Sequence, residues 1–69
     1  MQEESGLAAI QRKQIEVVVS EWLLTDDHYM RQSILERLRH QISHADPSFD
    51  VNKLSEWARE ELTEMGLLQ

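Results

Sequence analysis

Three stretches of the chain carry apolar residues at the spacing of an α-helix, so that each stretch has one apolar face. These faces are formed by Leu7, Ile15, Val18, Val19, Trp22 and Leu23, then by Met30, Ile34, Leu35, Leu38 and Ile42, and finally by Val51, Leu54, Ala58, Leu62 and Met65. Residues three or four apart lie on one side of a helix. The pattern predicts helices near residues 6–24, 27–44 and 51–65.

Polar residues and chain breakers mark the expected ends of these helices. The residues suited to cap a helix start are Ser5, Asp26 or Asp27, and Asp50. Pro47 disfavours helical geometry at the residue before it, so the second helix should end near residues 44–45. Gly66 suits the left-handed position after the third helix, where Leu67 would contact Leu62 in a Schellman motif.

Short connections between amphipathic helices predict an all-α fold, a small three-helix bundle with an antiparallel up-down-up arrangement. We expect residues 1–69 to form one domain, with residues 1–4 as a frayed tail. The chain has 69 residues and no Cys. Because this length is near the lower limit for a single core and disulfides are excluded, stability must come from helix packing, from self-association or from a partner.

The first helix carries a second apolar line beside its main face. Ile10, Val17 and Leu24 are spaced by seven residues and therefore lie nearly in line on another side. We expect this line to dock a second copy or another protein's helix, with a homodimer favoured and with Lys13 and Glu21 flanking the seam as charge partners. A wider core, or scattered surface aliphatic residues, is the alternative interpretation.

The charge of the chain argues against two classes of partner. A net charge of −6 disfavours bare nucleic acid and anionic membrane surfaces. The second helix is locally basic, however, through Arg31, Arg37 and Arg39. A nucleic-acid-linked regulator therefore stays open as the alternative function, either binding DNA through this helix or mimicking DNA through the acidic third helix (Glu56, Glu60, Glu61 and Glu64).

No motif in the chain predicts catalysis or a cofactor. His40 and His44 have the i, i+4 spacing that two metal ligands can use, but two imidazoles near a helix C-terminus also complement its dipole, and we expect no metal site. Without a Cys nucleophile or a glycine-rich phosphate loop, we expect no enzyme. The acidic first residues and the lack of an apolar run of about 20 residues predict a cytoplasmic protein. The sequence thus predicts a non-catalytic protein–protein interaction module or regulator.

Overall fold

The computed structural model describes residues 3–68, and Met1, Gln2 and Gln69 lie outside the described residues. Its helices are α1 (Gly6–Leu24), α2 (His28–Ser43) and α3 (Glu56–Glu64), with a 3₁₀ turn over Val51–Lys53 between the last two. No strand occurs within residues 3–68. The all-α class predicted from the sequence is confirmed.

The first two helices begin at the capping residues that the sequence indicates. The Ser5 hydroxyl oxygen accepts a hydrogen bond from the Ala8 amide at 3.0 Å, and the Asp27 carboxylate accepts one from the Met30 amide at 2.9 Å. Each bond satisfies an amide that has no partner inside the helix. α2 ends at Ser43, as expected from the proline downstream.

The C-terminus of α3 forms the predicted Schellman motif. Gly66 has a φ of +82°, a left-handed conformation that glycine adopts without steric cost. The Gly66 amide donates to the Thr63 carbonyl at 3.0 Å, and the Leu67 amide donates to the Leu62 carbonyl at 2.9 Å. These two bonds are the pair that defines the motif.

The prediction of one continuous third helix over residues 51–65 is wrong. Asp50 does act as a cap, but it starts only the short 3₁₀ turn, where its carboxylate accepts from the Asn52 amide at 2.9 Å. Leu54 is extended, with a ψ of 147°, and α3 begins after Ser55. The Ser55 amide donates to the Glu16 carboxylate of α1 at 3.1 Å, so a tertiary hydrogen bond replaces the bond that would continue the helix.

One core cluster joins all three helices. Its buried members are Ile15, Val18, Val19, Ile34, Leu38, Leu54, Ala58 and Leu62. The prediction that Leu7, Leu23 and Met30 lie in the core is wrong, because these side chains are 57%, 47% and 59% exposed. Leu7 and Leu23 lie about 80° to either side of Ile15 on the helix, near its two ends, and Met30 lies in the first turn of α2.

α1 is the central helix, since it packs against both α2 and α3. α2 runs antiparallel to it, because Arg37 pairs with Glu21 near one end and the Asp46 amide donates to Gln11 near the other. α3 starts beside Glu16, and its last turn shares a cleft with the last turn of α1, so these two helices run in the same direction. The up-down-up arrangement is confirmed. None of the helices within residues 3–68 combines the length and hydropathy needed to cross a membrane.

Candidate interaction surface

The second apolar line of α1 lies on the surface of the structure. Ile10, Val17 and Leu24 are 56%, 59% and 87% exposed, whereas Ile15 and Val19 of the same helix are fully buried. The two sets lie on opposite sides of α1, since α2 and α3 both pack on the side of the buried set. We call the three exposed residues the α1 ridge. They are not part of a wider core.

An open groove runs along one flank of the α1 ridge. Its volume is about 510 Å³. The lining residues come from α1 and α2, namely Ile10, Lys13, Gln14, Val17, Val18, Arg37 and Gln41. Ile10 and Val17 thus border a shallow, open depression between α1 and α2. A concave surface with an apolar floor and a polar margin is the kind of feature that receives a partner's side chains.

Lys13 and Glu21 lie on opposite flanks of the α1 ridge, and both are exposed. The Glu21 carboxylate is 3.4 Å from Nη1 of Arg37, in an ion pair whose side chains are 50% and 54% exposed. Within residues 3–68, Lys13 has no ion-pair partner. The ridge is therefore bordered by one unpaired cation and by one ion pair that remains open to solvent.

The sequence pattern missed an extension of this surface onto α2. Met30 was expected in the core, yet it lines a second shallow cleft with Glu21, Thr25 and Arg37. This cleft follows the ridge toward the C-terminal end of α1. A four-residue spacing placed Met30 on the apolar face of α2, and no sequence signal showed that the first turn of the helix would be left uncovered.

The three arginines of α2 do not form one surface. Arg31 turns toward the α1–α2 connection, where its guanidinium carbon lies 4.6 Å from the centre of the Trp22 ring. Arg37 lies at the groove beside the ridge. Arg39 pairs with Glu36 one turn earlier at 2.6 Å. Positions 31, 37 and 39 point in different directions around the helix, and each arginine has a partner within the chain.

The histidines of α2 pack on each other at the end of the helix. The rings of His40 and His44 are stacked, with centroids 4.1 Å apart and planes 28° apart. Nδ1 of His44 donates to the His40 carbonyl at 3.0 Å, and the same carbonyl also accepts from the His44 amide at 3.0 Å. Within residues 3–68 there is no group of three or more His, Cys, Asp or Glu side chains placed to hold a metal ion.

A polar network that the sequence did not predict ties the start of α1 to the rest of the molecule. The Glu4 carboxylate, only 5% exposed, pairs with Nε of Arg12 at 3.0 Å and accepts from the Asp50 amide at 3.5 Å. Arg12 also reaches Glu16 at 3.6 Å. Of the tail expected to fray, Met1 and Gln2 lie outside the described residues, but Glu4 is held in place.

The α2–α3 connection is fastened to the same end of α1. Ser48 donates to the Asp46 carboxylate, mainly through its hydroxyl and also through its amide at 2.9 Å, and these bonds lower the pKa of Asp46. The Ser48 hydroxyl in turn accepts from the Ser5 amide at 3.0 Å. This network positions the connection, and it lies away from the α1 ridge.

Comparison with protein-family models, with curated proteins and with solved structures finds no match to this chain. The exposed surface of the chain is therefore the feature that indicates a function.

Proposed function

We propose that this chain is a non-catalytic protein–protein interaction module that binds a second copy of itself through the α1 ridge. The observation that carries the proposal is the exposure of Ile10, Val17 and Leu24 in one line, on the side of α1 that no other helix of residues 3–68 covers. Aligned exposed aliphatic side chains gain free energy when they leave water together.

The size of this gain sets the affinity that the ridge can support. Full burial of an aliphatic side chain stabilises by about 1.5–3 kcal/mol, and a ridge residue that is already partly covered gains about 1–2 kcal/mol. Six such side chains in a pair contribute about 6–12 kcal/mol. Association entropy offsets at least about 4 kcal/mol of that gain, so the ridge supports a dimer of micromolar affinity at best.

The arrangement of the arginines favours this proposal over the nucleic-acid alternative. A protein that binds DNA through one helix presents its cations on one side, toward the phosphates. Here Arg31, Arg37 and Arg39 diverge, and the chain as a whole carries a net charge of −6. The same charge suits a cytoplasmic module that does not bind anionic membranes, and that location is part of the proposal.

Sedimentation velocity over a range of concentrations tests the proposal directly. We expect the parent to sediment as a dimer at tens to hundreds of micromolar, which the upper part of the estimated range of affinity supports. Val17→Glu places a carboxylate in the middle of the α1 ridge without touching the buried face, so this variant should be a folded monomer. Gln32→Glu, at an exposed position of α2 away from the ridge, adds the same charge and should remain dimeric.

Circular dichroism of each variant shows whether it is folded. A parent that stays monomeric across this concentration range would refute self-association through the α1 ridge. So would a Val17→Glu variant that dimerises as well as the parent. Binding of duplex DNA at low salt, weakening steeply as salt rises, would instead support the nucleic-acid alternative.

A further inference from the structure

The geometry points to a specific pairing of the two copies: their α1 helices run antiparallel, with Val17 next to the two-fold axis. This inference rests on the proposed function, since it describes how the α1 ridge meets its own copy. A two-fold pair uses the same surface patch on both subunits, so the patch must be complementary to itself. The order of residues along the α1 ridge meets that requirement only when the two α1 helices run in opposite directions.

The α1 ridge and its flanking charges are symmetric in position about Val17. Ile10 and Leu24 lie seven residues to either side of it, and Lys13 and Glu21 lie four residues to either side. At a rise of 1.5 Å per residue, the two charges are about 6 Å from Val17 in opposite directions along the axis. A two-fold rotation that reverses the helix about Val17 therefore brings Ile10 of one copy level with Leu24 of the other, and Lys13 level with Glu21.

The direction of pairing decides which charges meet. In an antiparallel pair, Lys13 of one copy lies level with Glu21 of the other across the seam, and symmetry creates this attraction twice. In a parallel pair, each residue lies level with its own copy, so that Lys13 meets Lys13 and Glu21 meets Glu21. Like charges directly opposite each other are destabilising, and opposite charges attract. The charges flanking the ridge therefore select the antiparallel direction.

The surroundings of Glu21 and the charge of this face also favour a second copy as the occupant. Arg37 holds the Glu21 carboxylate beside the ridge at 3.4 Å, and both side chains stay about half exposed, which leaves the carboxylate free to accept a second cation. Lys13, Glu21 and Arg37 give this face one more positive than negative charge, whereas the whole chain carries −6. Two acidic copies therefore repel each other less at these three side chains than their net charges alone would suggest.

Charge reversal tests the pairing of Lys13 with Glu21. In an antiparallel dimer, Lys13→Glu alone and Glu21→Lys alone each turn two attractive contacts into two repulsive ones. We expect each single variant to weaken the dimer about 10-fold or more at low salt, and the double variant to return near the parent affinity. The single variants change the net charge in opposite directions, so a general charge effect would weaken one and strengthen the other. A parallel dimer would be changed little by any of the three.

Cysteine cross-linking tests the direction without relying on charge, and the chain has no native Cys to interfere. Val17→Cys places two thiols next to the two-fold axis and should form a disulfide-linked dimer on oxidation. In Ile10→Cys, the two thiols of an antiparallel pair are about 21 Å apart along the axis, too far for a disulfide, whereas a parallel pair would bring them together.

The two cysteine variants separate failure of this inference from failure of the proposed function. Cross-linking of Val17→Cys without cross-linking of Ile10→Cys supports antiparallel pairing. Efficient cross-linking of both variants would overturn the antiparallel direction while leaving a dimer through the α1 ridge intact. If neither variant cross-links and the parent sediments as a monomer, the proposed function fails, and the pairing fails with it.

Discussion

Leu38 offers the sharpest test of how the three helices share one core. It is fully buried among side chains of all three helices. Leu38→Ala removes apolar groups worth about 2–2.5 kcal/mol of transfer free energy, and the cavity left behind adds about 1 kcal/mol. The expected loss is about 3–4 kcal/mol. For 69 residues, the free energy of unfolding is about 3–10 kcal/mol, so this one substitution removes a third or more of it.

Urea unfolding followed by circular dichroism measures this loss at a protein concentration low enough to keep the chain monomeric. Leu7→Ala is the matched control, because the same atoms are removed from a side chain that is 57% exposed and outside the α1 ridge, and it should cost less than about 1 kcal/mol. Similar losses for both variants would refute the placement of Leu38 at the centre of the core.

Two further substitutions test the end of α3 and the histidine pair. Gly66→Ala should cost about 1 kcal/mol in urea unfolding from backbone strain alone, since the added Cβ meets nothing within 4 Å. The control Gly6→Ala, in the first turn of α1, should not destabilise the protein, and equal effects of the two variants would contradict the Schellman interpretation. Zinc should leave the melting temperature of the parent unchanged, because we expect the stacked His40 and His44 rings to bind no metal ion. A zinc-dependent rise that disappears in His40→Ala would show otherwise.

Features that depend on local sequence were predictable. Helix starts at Ser5 and Asp27 and the end at Gly66 are set by a side chain or backbone angle within a few residues of the helix terminus. The α1 ridge was found for the same reason, since a spacing of seven identifies a line on one helix whatever surrounds it. Periodicity contains no information about what packs against such a line, so it does not identify a partner.

The missed features all involve distant parts of the chain. Leu7 and Met30 match the helical pattern, but their exposure depends on which turns of the neighbouring helices lie opposite them. Glu4 looked like part of a polar tail because its partners follow it by 8 residues at Arg12 and by 46 at Asp50. The break at Leu54 depends likewise on a carboxylate from α1. Hydrophobic periodicity contains no information about such contacts.

That carboxylate belongs to Glu16, which takes the role of a capping residue at the start of α3. In a capping box, a Glu within the helix accepts from the amide of the N-cap residue. Ser55 is the N-cap of α3, its side chain makes no cap bond, and position three of the helix is Ala58, which cannot accept. Glu16 accepts instead from both the amide and the hydroxyl of Ser55, across 39 residues of sequence.

If Glu16 fixes the start of α3, its removal should cost more than the loss of an ordinary surface acid. Its side chain is 17% exposed, so Glu16→Ala leaves the Ser55 donors partly buried without their acceptor and should cost about 1–3 kcal/mol in urea unfolding. Glu16→Gln keeps an acceptor oxygen and should cost less. Glu36→Ala breaks the exposed pair with Arg39 and should cost no more than about 0.5 kcal/mol. Because α3 has only nine residues, loss of this tertiary cap should also weaken the packing of α3 on α1. Equal costs for Glu16→Ala and Glu36→Ala would contradict the role of Glu16 as the cap of α3.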